Sequence, residues 1–96
     1  MLDATDSQIR KALVTLAVER VLLNIGRPVL EDVTRRLYQE YNCYLPDCYD
    51  NPKFLKTVLK DLYGTSHVVI VESIKNNLEE FSYQKPIEKF IKVIGR

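Results

Sequence analysis

Apolar residues recur at three- and four-residue spacing over most of this 96-residue chain, the period that predicts helices. From Ser7 onward, Ile9, Ala12, Leu13, Leu16, Ala17, Val18, Val21, Leu22, Leu23 and Ile25 cover more than one stripe of a helical cylinder. That girth belongs to a central helix or to one that touches a second chain. Two stripes separate: Ile9, Leu13, Leu16 and Leu23 on one side, Val14, Val18, Val21 and Ile25 on another. If one faces the core, the other needs a cover. The C-terminal helix of the same chain could supply it, or the same helix of a second copy in an antiparallel two-fold contact. Val14, Val18, Val21 and Ile25 are the candidate interface. Thr5-x-x-Gln8 fits a capping box for this helix, with Asp6 as the alternative cap. Gly26 is expected to end it in a left-handed conformation.

Pro28 suits the first turn of a second helix, in which Val29, Val33, Leu37 and Tyr41 follow at intervals of four. Residues 42–51 carry Asn, Pro and Asp and read as a loop, and Tyr41, Tyr44, Leu45 and Tyr49 suggest that it folds back on the core. A third helix is expected from about Pro52 to Tyr63, with Asn51 as its cap and Phe54, Leu55, Val58, Leu59, Leu62 and Tyr63 at helical spacing. Gly64-Thr65-Ser66 closes it. Val68-Val69-Ile70-Val71 is β-branched throughout, which favours a strand. Ile70, Ile74, Leu78 and Phe81 repeat with a helical period, and residues 74–81 do not alternate as a hairpin would. The spacing therefore predicts a fourth helix, and a winged helix with a hairpin over 68–83 is the alternative. A last helix begins at Pro86, carries Ile87, Phe90, Ile91 and Ile94 on one face, and ends at Gly95.

The expected fold is one all-α domain of five helices over residues 1–96; the alternative is an α+β winged helix-turn-helix. A hydrophobic fraction of 46% with 28% charged residues belongs to an ordinary globular chain rather than a disordered one. Ninety-six residues can bury a single core without metal or disulfide staples. There is no apolar run of about 18 residues, so no membrane span is expected. No positively charged region precedes an apolar block near the N-terminus, which points to the cytoplasm.

Fourteen Lys and Arg against 13 Asp and Glu give a net charge of +1, short of the excess usual in a nucleic-acid binder. A local basic face is compatible with that balance. Lys53, Lys56 and Lys60 form a lysine stripe on the third helix, to which Arg35 and Arg36 could add charge; these five are the candidate phosphate contacts. Against a DNA reader, the loop before the third helix is longer than a helix-turn-helix uses. That helix also exposes no Arg, Asn or Gln to pair with bases.

Cys43 and Cys48 sit in one loop without the Cys-x-x-Cys spacing, and with His67, the only histidine, they fall short of a four-ligand zinc site unless Asp47 or Asp50 completes it. Free thiols are expected. No nucleophile elbow, phosphate-cradling glycine loop or His-Glu-x-x-His motif is present. No catalytic residue, metal or cofactor is assigned.

The string Asn51-Pro52-x-x-Leu55-x-x-x-Leu59-x-x-x-Tyr63-Gly64, followed by Ile70-x-x-x-Ile74-x-x-x-Leu78, resembles the thaumarchaeal output-domain family, small archaeal helical domains that occur alone or attached to signalling modules. The resemblance covers about the last two-thirds of the chain and consists of packing positions and a turn glycine. It implies an all-helical fold, a regulatory or protein-binding output role and no catalytic residues. The expected function is thus a non-enzymatic protein-interaction or signalling-output domain that self-associates. The alternative is a DNA-binding transcription regulator.

Overall fold

The computed structural model describes the backbone of residues 2–96 and the side chains of residues 6–96. The fold is all-α: α1 (Leu2–Ile25), α2 (Arg27–Tyr41), α3 (Pro52–Tyr63), α4 (His67–Leu78) and α5 (Lys85–Ile94), with short 3-10 turns at Leu45–Tyr49, Gly64–Ser66 and Glu79–Phe81. No strand occurs among the described residues, and the valine-rich segment 68–71 lies inside α4. Its β-branched propensity is overridden because Ile70, Val71, Ile74 and Leu78 put one continuous stripe into the core.

The helix ends differ in detail from the sequence expectations. α1 spans Leu2–Ile25, so Asp6 lies within it and does not cap it; the capping box expected from Thr5 lies outside the described side chains. Gly26 ends α1 in an extended conformation, φ 161° and ψ 147°, not a left-handed one. Its N–H donates to Leu22 O at 3.1 Å, and its carbonyl accepts from Val29 N at 3.0 Å, so one residue closes α1 and opens α2. Asn51 precedes α3 without capping it; its Nδ2 donates back to Asp47 O at 3.2 Å. Gly64, at φ +57°, supplies the left-handed turn between α3 and α4.

α1 is about 36 Å long at 1.5 Å per residue, close to the 38 Å long dimension of the molecule. It packs against α2, α4 and the Leu45–Tyr49 turn, while α3 packs between α2 and α5. The core is built from Val14, Val18, Leu22, Val33, Leu37, Leu55, Leu59, Ile74, Leu78, Ile87, Phe90 and Ile94, all fully buried. The loop after α2 folds onto this core through Leu45, with Tyr41 and Tyr49 half-buried against it, while Tyr44 stands exposed. Tyr44 N–H donates to the Asp47 carboxylate at 2.8 Å, Asp47 N–H donates back to Tyr44 O at 2.9 Å, and the closed turn drives Leu45 and Cys48 inward. Lys11 Nζ reaches Asp50 Oδ2 at 3.4 Å and ties the turn to α1.

Candidate functional site

The two stripes of α1 exchange their expected roles. Val14, Val18 and Val21 are buried in the core of a single chain, so they cannot form a surface for a second one; only Ile25 of that set is exposed. They point at α2, α4 and the 45–49 turn, which supply the cover the sequence left open. The opposite stripe faces out: Ile9 is 54%, Leu16 50% and Leu23 45% exposed, and Leu13 between them is half-buried. Ile9, Leu16 and Leu23 recur every seven residues, two helical turns, and therefore lie in one row. Grooves flank the row on both sides. One, of about 420 Å³, runs between α1 and Pro46; the other, of about 190 Å³, lies between Leu13, Leu16 and Arg20 of α1 and Asn77, Leu78 and Phe81.

The basic residues divide. Arg35 is engaged by Asp32 at 3.2 Å and Arg36 by Glu40 at 3.5 Å. Both ions sit on the exterior of α2 and are partly neutralised. Lys53 and Lys60 are exposed and Lys56 is half-buried. α3 and α5 start together, since Pro52 and Pro86 line the same shallow depression. α5 and Arg96 just after it contribute a second row that the sequence reading passed over: Lys85, Lys89, Lys92 and Arg96 border one concave surface, with Glu88 among them. Its signal was present in the same four- and three-residue spacing, on the face opposite Ile87, Phe90 and Ile94. Among the described residues, Lys92 is the one member of this row that is paired, with Glu88 at 3.9 Å.

Cys43 and Cys48 are free, buried thiols. Burial, and secondarily the charge of Asp47, pushes the Cys43 thiol up; burial and then the neighbouring Cys43 push Cys48 far above the thiol range. Cys43 Sγ donates to Tyr44 O at 3.3 Å. Such thiols are poor nucleophiles and poor metal ligands. His67 Nδ1 lies 2.8 Å from Gly64 O, where it closes the turn into α4. Among the described residues, no group of three or more His, Cys, Asp or Glu is arranged to hold a metal ion. A groove of about 440 Å³ between α4 and α5 alternates Glu72, Glu79 and Glu88 with Lys75 and Lys92. The hydroxyl on its wall, Ser82 Oγ, donates to Glu79 O at 2.7 Å, so no nucleophile and base meet there.

Comparison with protein-family models, curated proteins and solved structures finds no match to the chain. Among the described residues, no helix is long and apolar enough to cross a membrane.

Proposed function

We propose that the chain is a non-enzymatic protein-interaction domain of the signalling-output type, docking through the outer face of α1. One observation carries this reading. The core closes without Ile9, Leu16 and Leu23, yet these three stand exposed in a row along the longest helix. Single exposed aliphatic residues are normal, whereas a contiguous row between two grooves is the mark of an interaction surface. The resemblance of residues 51–78 to thaumarchaeal output domains points the same way. A photo-crosslinking amino acid placed at Ala12, beside the row, is expected to capture protein in cells expressing the full chain. The same group at Thr57, on α3, is expected to capture none. Equal labelling at the two positions would remove the reading.

A second reading is a nucleic-acid-binding regulator. Its support is the pair of rows Lys53, Lys56, Lys60 and Lys85, Lys89, Lys92, Arg96, which hold half of the chain's 14 Lys and Arg on and just after two neighbouring helices. Phosphate contacts need only such charge. The pairing of Arg35 and Arg36 with acids of their own helix and the absence of base-reading side chains on α3 keep it second.

A further inference from the structure

One edge of the outer row of α1 carries two charged residues, and their placement limits what can lie on it. Asp6 stands seven residues before Leu13 and Arg20 seven residues after it. Seven residues is two turns, so Asp6, Leu13 and Arg20 lie along one edge of the row formed by Ile9, Leu16 and Leu23. Asp6 and Arg20 are both exposed. That edge is thus apolar at its middle, acidic near one end and basic toward the other, while the opposite edge of the row carries the exposed Glu19 between Leu16 and Leu23.

A partner helix that satisfies this face must offer an apolar centre with a base opposite Asp6 and an acid opposite Arg20. The same helix turned end for end does so. We infer that the occupant of the α1 face is a second copy of this chain, docked antiparallel about a two-fold axis at Leu13. This rests on the reading of that face as a docking surface. In this register Leu13 meets Leu13 of the second copy, Ile9 interleaves with Leu16, and Asp6 faces Arg20 twice, once on each side of the axis. The row repeats every 3.5 residues on average, the period that keeps a helix pair in contact over several turns. Other arrangements lose the charge match. A parallel pair sets Asp6 on Asp6 and Arg20 on Arg20, and like charges face to face oppose association. An antiparallel pair centred on Leu16 puts Arg20 over Ala12 and Asp6 over Gly26, so both Asp6–Arg20 pairs are lost. A single helix face is smaller than the roughly 800 Å² per partner of a standard interface, so the dimer is a weak, concentration-dependent one.

The full chain is examined by light scattering from about 10 µM to 1 mM, a range that brackets weak association. The expected result is a rise from monomer to dimer mass. Arg20→Glu, which turns both attractive pairs repulsive, should weaken dimerisation about tenfold, and adding Asp6→Arg should restore it to within about threefold. Leu13→Cys and Leu16→Cys then test the register under oxidised glutathione, which accepts the two electrons of each new disulfide. Leu13→Cys should cross-link and Leu16→Cys should not, because only the residue on the axis meets its own copy. Cross-linking through Leu16→Cys, or a dimer indifferent to Arg20→Glu, would overturn the register. A monomer at about 1 mM would overturn the second copy as occupant. That last result together with protein adducts at Ala12 would leave the docking face standing with a different partner; without such adducts the face falls too.

Discussion

The ring of Tyr41, at the end of α2, lies flat on the ring of Phe54 in the first turn of α3, centroids 4.2 Å apart and planes within 4°. The stack closes the α2–α3 hairpin at the end where residues 42–51 leave and return. α2 and α3 pack against each other, and the meeting of the end of one with the start of the other sets them antiparallel. Both stacked rings are half-buried, so truncation should cost less than the 3–5 kcal/mol of a fully buried phenylalanine. Phe54→Ala is expected to destabilise by about 2–3 kcal/mol in urea unfolding. A double-mutant cycle with Tyr41→Ala should leave a coupling of about 1 kcal/mol, the part that belongs to the stack rather than to area. Coupling indistinguishable from zero would mean that the rings only share a neighbourhood.

Opposite sides of α1 should respond oppositely to the same charge. Val14 is buried among the helices of its own chain, and an unpaired carboxylate there has no water and no partner. Val14→Asp should cost about 4 kcal/mol or more, or abolish folding. Leu16→Asp, half a turn away on the exposed row, should change the unfolding free energy of the monomer by less than about 0.5 kcal/mol. Circular dichroism melts at low concentration decide it, and equal losses at both positions would contradict the assignment of the two faces.

Those two positions also show where sequence reading reached its limit. Periodicity established that α1 is helical and that it has two apolar sides, but 3.6-residue spacing is blind to which side is covered. Charge does not discriminate them either: Asp6 and Arg20 fall on the Ile9–Leu16–Leu23 side, but Lys11 stands seven residues before Val18 on the buried side, where it is half-buried and reaches out to Asp50. The helical nature of residues 68–71 was legible because Ile70, Ile74 and Leu78 outweigh local valine propensity. The turn at Leu45–Tyr49 was not. It depends on Asp47 reaching the Tyr44 N–H and on Cys43 and Cys48 finding a place in the core, which are tertiary events. Of the basic residues, Lys53, Lys56 and Lys60 were legible as a stripe, but the neutralisation of Arg35 and Arg36 became visible only with their side-chain geometry.

The thiols give a pH dependence with a definite sign. Cys43 and Cys48 would titrate near their ordinary value of 9.0 in the unfolded chain, and both are raised in the folded one. The folded state therefore holds its protons longer. Its advantage is complete below pH 9 and is lost as pH climbs above it, with a slope of at most about 1.4 kcal/mol per pH unit for each thiol. Urea midpoints should be flat between about pH 7 and 8.5 and fall above pH 9. Cys48→Ala should flatten that fall, whatever it does to stability at neutral pH. Native alkylation by iodoacetamide should be slower than in urea by about a hundredfold. Rapid alkylation of the native chain would show the thiols to be accessible.

Tyr63 is a different kind of buried polar group. Its Oη is out of solvent and has no hydrogen-bond partner among the described residues. Burial, and after it the charge of Asp32, raises its ionisation. A hydroxyl desolvated without compensation costs about 1–3 kcal/mol. Tyr63→Phe, which deletes only that oxygen, should leave the fold unchanged and stabilise it by up to about 1 kcal/mol. A clear loss of stability would reveal a partner for the hydroxyl, and Asp32 would be the first residue to mutate next.

The basic rows decide between the two functional readings. A sequence-reading regulator built on α3 would present Arg, Asn or Gln to base edges. The exposed positions Lys53, Thr57, Lys60 and Asp61 offer none, and α4 replaces the hairpin that a wing requires. What remains is diffuse phosphate attraction from Lys53, Lys56 and Lys60 with the α5 row, and salt screens it steeply. Random duplex DNA should bind at about 50 mM salt no more tightly than the non-specific range of about 1–100 µM and lose that binding by about 200 mM. The triple variant Lys53→Glu, Lys56→Glu, Lys60→Glu should abolish it without altering the helical content or the self-association through α1. Fluorescence anisotropy across a salt series measures all three. Sub-micromolar binding that survives about 150 mM salt and disappears in the triple variant would make these lysines the functional site and a nucleic-acid regulator the better description, because only a surface shaped to the duplex keeps such affinity once counterions compete.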